Sequence, residues 1–150
     1  MLGTDQDSWI STMIGRVRQY SKRPIRIRMH PGDGTKERQI SKLIQRYGNR
    51  VEISRAANIL EDLTDCWLAV GYNSTPNSVA AIEGVPVYLD DPVHSWAQDI
   101  AIRNINSIET PQMPDRTQWL EKIANIHWSN EEVKSGKLWA AIKQHISAAQ

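Results

Sequence analysis

Three short stretches hold residues whose types and spacing could do chemistry. The first is Met29-His30-Pro31-Gly32-Asp33-Gly34-Thr35. An imidazole donor is followed by two glycines whose backbone amides can approach an anion, and a helix start there adds its dipole. The same residues also serve to end a strand and turn the chain, and a glycine loop of this kind is a weak motif. The second is Gly71-Tyr72-Asn73-Ser74-Thr75. Ser74 and Thr75 put hydroxyls where a following helix leaves amides free, and an ordinary N-cap by Asn73, Ser74 or Thr75 uses the same atoms. The third is Asp90-Asp91-Pro92-Val93-His94. Paired carboxylates suit a hard cation or a general base. Adjacent residues on an extended chain face opposite ways, so a cap and a solvated loop is the simpler reading and no metal site is assigned. An Asp here could also accept hydrogen bonds from ribose hydroxyls.

These stretches need elements to position them, and the hydrophobic periodicity supplies a set. A helix is expected over 7–21, with Asp7 as cap and Trp9, Ile10, Met13, Ile14 and Val17 at helical spacing. Ile-Arg-Ile-Arg-Met at 25–29 alternates as a strand does, with Arg26 and Arg28 on one face. A second helix is expected over 35–47, ended by Gly48-Asn49, and a short strand at 51–54. A helical turn at 58–65 leads to the apolar run 66–71, expected as a central strand. The small-residue helix 77–83 stops at Gly84, and 85–89 is the next strand. Ala80 and Ala81 would let that helix lie close to the sheet.

The alternation argues for an α/β fold: a Rossmann-like parallel sheet of about four strands with flanking helices. Helices expected over 94–105, 115–128 and 130–147 form a C-terminal cluster, with caps at Asp115 and at Ser129 or Asn130. Each phosphate-binding candidate then falls at the carboxyl end of a strand, where open α/β sheets bind ligands. Trp9, Trp119 and Trp139 fall on apolar helix faces and read as core, whereas Trp96 and Trp128 could flank a sugar or base. His127 and His145 lie in helices without a partner motif.

The 150 residues, 40% hydrophobic and 23% charged, suit one domain and exclude a disordered chain. One cysteine, Cys66, excludes an intrachain disulfide and a cysteine-built metal site. The apolar runs are too short for a membrane span, and the polar start lacks a secretory pattern, so a cytoplasmic setting is expected. Net charge is +1, but residues 1–60 carry 12 Lys and Arg against 5 Asp and Glu, and residues 61–150 carry 6 against 12. Either a basic face meets phosphates or a partner, or the two halves neutralise each other.

A strand ending in His30-Pro31, a buried strand ending in Asn73-Ser74, and a small-residue helix closing in Gly84-Val85-Pro86-Val87 together resemble the C-terminal half of a GT-B glycosyltransferase. The capsule-polysaccharide and polysialyltransferase-like group is the nearest pattern. The stretch from Arg23-Pro24 through Asp90-Asp91-Pro92 to Trp119-Leu120 is similar to glycosyltransferase-like proteins carried by bacteriophages.

The resemblance implies one nucleotide-binding domain over 1–150, without the N-terminal GT-B half, since 22 residues precede Arg23. It implies a UDP- or CMP-linked sugar as donor, with no separate cofactor. His30 would act at the leaving phosphate with the amides of Gly32 and Gly34, Asn73, Ser74 and Thr75 would hold the same phosphate, and Asp33 and Asp91 are candidates for ribose or acceptor contacts. A homodimer or a partner domain would complete the site. Acceptors could be modified bases in nucleic acid or surface glycans, without membrane insertion, and a phage origin would place the protein in the host cytoplasm. The alternative is a non-catalytic nucleotide-binding protein that sequesters a nucleotide signal or regulates a host enzyme.

Overall fold

The computed structural model describes residues 6–30, 32 and 34–148. The chain divides into two compact units, one ending at Pro114 and one beginning at Asp115. The first unit holds α1 (Gln6–Tyr20), β1 (Ile25–Ile27), α2 (Gly34–Ile44), β2 (Val51–Ile53), α3 (Ile59–Leu63), β3 (Ala69–Gly71), α4 (Thr75–Ile82) and β4 (Val87–Leu89). Asp7 lies inside the first turn of α1 rather than before it.

The fold is mixed α/β with parallel strand pairing, and the pairs among the described residues are two. β1 pairs with β2, Ile25 opposite Val51, and β3 pairs with β4, Ala69 opposite Val87. The single four-stranded ladder expected from the alternation is not formed by these hydrogen bonds. Within the second pair the buried strand is β4, whereas Ala69 and Val70 of β3 are only half-buried and Trp67 is exposed. The reason is a third neighbour. Ile102 bridges Tyr88 in parallel and donates its N–H to the Val87 carbonyl at 2.8 Å, so β4 is flanked on both edges.

That bridge also corrects the helix expected over 94–105. Residues 92–94 form a 3-10 turn, the chain then folds through turns closed by Ile100 and Ala101 onto Ala97, and 105–107 is another 3-10 turn. Ala97, Ile100 and Ala101 are buried at helical spacing because the turns are compact, not because a helix continues.

Helix α1 unites the two strand pairs. Ile10 and Ile14 pack with Ile40 and Ile44 of α2 and Val51 of β2, the apolar faces that periodicity marks. Near the start of α1, Trp9 donates Nε1–H to Asp90, just past β4. Near its end, Arg18 reaches the carbonyls of Arg23 and Arg50, just before β1 and β2. Helix α1 therefore runs opposite to both pairs, and their carboxyl ends lie on one side of the unit. Arg16 completes this seam, donating to the Asp90 carboxylate and to the Tyr88 hydroxyl.

The second unit holds α5 (Thr117–Ile126), α6 (Asn130–Lys134) and α7 (Lys137–Ala148). The helix expected over 130–147 is two, because Gly136 takes φ +81°, a left-handed conformation that ends a helix. Trp119 and Ile123 are buried, but Trp139 is 60% exposed, contrary to its reading as core, and Lys143 lies over its ring at 5.4 Å.

Ser129 is the N-cap of α6 as expected, whereas the N-cap position of α5 is Arg116, one residue past the expected Asp115. Asp115 accepts from the Thr117 N–H, and Ser129 with Glu132 forms a reciprocal capping box on α6. Backbone N–H donors, of Thr117 and of Ser129, hold both carboxylates below their ordinary pKa. A depressed folded pKa gives stability that is present above the unfolded value and lost as pH falls through the folded one. Amide protection at Thr117 and Ser129, the two N–H groups these carboxylates accept from, is therefore expected to fall on acidification below about pH 4. Protection unchanged down to about pH 2 would contradict it. Among the described residues no helix is long and apolar enough to cross a membrane.

Candidate functional site

The carboxyl ends of the strands gather most of the residues singled out from sequence. His30 is exposed three residues past β1. Its Nδ1 accepts the Gly32 N–H at 3.1 Å. An accepting Nδ1 leaves the neutral ring's proton on Nε2, so the outer nitrogen is a donor. Gly32 thus spends its amide on orienting the imidazole rather than on an anion. A Cβ at Gly32 would sit 3.3 Å from that nitrogen, tight enough to disturb the turn. Gly34 opens α2. Pro31 and Asp33 lie outside the described residues.

Ser74 is the N-cap residue of α4, with φ −77° and ψ 155°, but its side chain does not cap. Its Oγ accepts instead from Asn77 Nδ2 at 3.3 Å, which leaves the hydroxyl proton to donate elsewhere. Pro76 in the first turn has no N–H, so the amide and hydroxyl of Thr75 and the hydroxyl of Ser74 are the donors at this helix start. Ser74 and Thr75 are exposed, and Asn73 is half-buried. Ala80 and Ala81 are buried, as a close helix requires.

Gly71 explains why Asn77 can hold Ser74. A Cβ at Gly71 would lie 2.0 Å from Asn77 Nδ2, and Asn77 is itself buried. Gly71→Ala must push that side chain off Ser74 and is expected to cost about 1–3 kcal/mol. Chemical denaturation checks this, and an unchanged midpoint would show that Asn77 is not fixed. Ser78, next in α4, is buried with an Oγ that has no hydrogen-bond partner among the described residues.

Asp90 and Asp91 part company, as adjacent residues should. Asp90 is consumed by Trp9 and Arg16 and is structural. Asp91 turns to His94, with Oδ2 3.0 Å from Nδ1. The backbone N–H groups of Asp90 and Asp91 donate to the carbonyls of Gly71 and Tyr72, so the loops after β3 and β4 lie side by side. Among the described residues no hydrogen bond or ion pair joins the His30 loop to the Ser74 loop.

A cleft of about 240 Å³ opens where β1 and β2 end, lined by Arg28, Met29, Glu37, Ile53, Ser54, Ala56 and Ala57. Its polar groups are paired internally. Asp62 of α3 accepts from Arg28 at 2.6 Å and from the Ser54 hydroxyl at 2.7 Å, Glu37 meets Arg55, and Glu61 accepts the Ala57 N–H. Arg26 pairs with Asp65 and Glu52. Its guanidinium is held more firmly protonated, mainly through its hydrogen bond to Asp65, whose own carboxyl is lowered by the same bond.

Arg26, Arg28 and Arg55 of the basic stretch 1–60 therefore meet acidic partners within their own fold. Asp62 was not legible from sequence, because its partners lie up to 36 residues away. The Asp91–His94 spacing was in plain view. Cys66 sits where burial pushes its thiol pKa up, away from reactivity. No protein-family model, curated protein or solved structure matches the chain.

Proposed function

We propose that the chain is a nucleotide-phosphate-binding α/β domain of the Rossmann-like, GT-B glycosyltransferase kind, taking a UDP- or CMP-linked sugar. The observation that carries this reading is a pair of side-chain donors with no acceptor among the described residues, each between a parallel strand and the helix it opens. One is the Nε2–H of His30, turned outward by the Gly32 amide, and the other is the Ser74 hydroxyl at the start of α4. Helix starts favour anions through free N–H groups and the aligned peptide dipoles.

In this reading His30, Ser74 and Thr75 grip the phosphate and stabilise charge as it leaves the sugar. Gly32 and Asn77 position the two donors, and Gly34 starts the helix behind the first. Titration calorimetry with UDP and CMP tests it. Saturable binding of either, weakened about tenfold or more in Ser74→Ala or His30→Ala, is expected, and no binding of either would refute it.

A further inference from the structure

Two exposed histidines stand past carboxyl ends of parallel strands, and their partners set them in opposite tautomers. At His30 the ring Nδ1 accepts from a backbone N–H, so Nε2 bears the proton. At His94 the ring Nδ1 faces the Asp91 carboxylate, which can only accept when ionised, so Nδ1 bears the proton and Nε2 presents a lone pair. His94 is 72% exposed and Asp91 only 22%, so the base nitrogen is open while its orienting group is sheltered. Asp91 stands at the N-cap of the 3-10 turn 92–94, yet its side chain makes no cap hydrogen bond. The ordinary job of an Asp at that position is left undone in favour of the imidazole.

The pair also lies beside the Ser74 loop. The Asp91 N–H donates to the Tyr72 carbonyl at 3.2 Å, two residues before Ser74. Val93 and Trp96, beside His94 in the chain, are exposed, as is Tyr72 across that loop contact, and aromatic rings are faces on which sugar rings stack.

We propose that His94 is the general base for the acceptor hydroxyl in the sugar transfer, with Asp91 its positioning residue; this rests on the nucleotide-sugar reading above. His94 Nε2 takes the proton of the acceptor hydroxyl as that oxygen bonds the anomeric carbon. The bond from that carbon to the donor's phosphate oxygen breaks, and its electron pair leaves with the nucleotide. The imidazolium, facing Asp91, then returns the proton to solvent. With water as acceptor the same step is donor hydrolysis.

The test measures binding of UDP and CMP, and turnover of UDP-glucose, UDP-N-acetylglucosamine and CMP-N-acetylneuraminate, with the intact chain. His94→Gly is expected to leave nucleotide affinity unchanged and to lower donor turnover by about 10²-fold or more, with added imidazole restoring part of the rate. Asp91→Asn is expected to lower kcat by about tenfold with KM unchanged, since it alters the tautomer and not the binding. Nucleotide binding without turnover of any donor overturns the base assignment alone, as does turnover indifferent to His94→Gly or a loss that imidazole does not repair. Failure of the wild-type chain to bind either nucleotide overturns the underlying reading instead.

Discussion

His30→Ala should weaken UDP or CMP binding by about ten- to a hundredfold. A hydrogen bond to a charged group contributes about 1.5–3 kcal/mol, and each 1.4 kcal/mol is tenfold in affinity. The estimate applies because Nε2 is committed to donation by the bond that Nδ1 accepts from Gly32, so no reorganisation precedes contact with an anion. Two variants separate this role from a merely structural one. His30→Gln keeps a side-chain N–H and should recover part of the loss. Gly32→Pro removes the orienting amide proton and should cost affinity although residue 30 is intact. Thermal stability of His30→Ala should be close to wild type, since the side chain is exposed and its hydrogen bond among the described residues is to nearby Gly32.

Asp62→Ala should lower stability by about 2–3 kcal/mol, a fall in Tm of roughly 5–10 °C. The carboxylate is 12% exposed and satisfies Arg28 and the Ser54 hydroxyl, with Arg26 also in reach at 3.7 Å. Removing it leaves guanidinium groups and a hydroxyl unpaired where β1 and β2 end. Loss of a partner in such a cluster costs more than the pair itself contributes, because the remaining charge is still partly desolvated. Arg28 and Arg26 are about a third exposed, which moderates the cost and sets it below that of a fully buried pair. By the same reasoning Asp62→Asn, which can still accept one hydrogen bond, should cost less. Differential scanning calorimetry decides it, and an Asp62→Ala variant within a degree or so of wild type would show that Arg28 and Ser54 find water instead.

What could be read from the residues follows physical locality. The period-two Ile25 and Ile27, the helical spacing of Ile10, Ile14, Ile40 and Ile44, and the stop at Gly84 each depend on neighbours within a few positions. They gave elements close to those observed. Whether two strands share a ladder depends on residues far apart in the chain, and there the expectation of one sheet of four strands met two pairs and the Ile102 bridge. The segment 94–105 misled because buried turns and a helix can bury the same positions, and no Gly or internal Pro marked the difference. The reading of Trp139 as core failed because an apolar stripe fixes which face is apolar and not what covers it.

The candidate site divides in the same way. His30, Ser74 and Asp91 were visible as residue types at strand ends. Which atom of each is free was not, because that depends on Gly32, Asn77 and His94 as partners. The fate of Arg26 and Arg28 likewise waited on Asp62 and Asp65, more than thirty positions downstream. Their pairing favours mutual neutralisation within the fold over a basic face toward phosphates.

A double-mutant cycle on nucleotide affinity tests the central claim most directly, with His30→Ala, Ser74→Ala and the pair titrated with UDP and CMP. If one phosphate takes both donors, each single change should cost tenfold or so, and the two should couple by about 0.5–3 kcal/mol, as groups sharing a partner do. Affinity that ignores either substitution, or losses that simply add, would place the two donors on different ligands or on none.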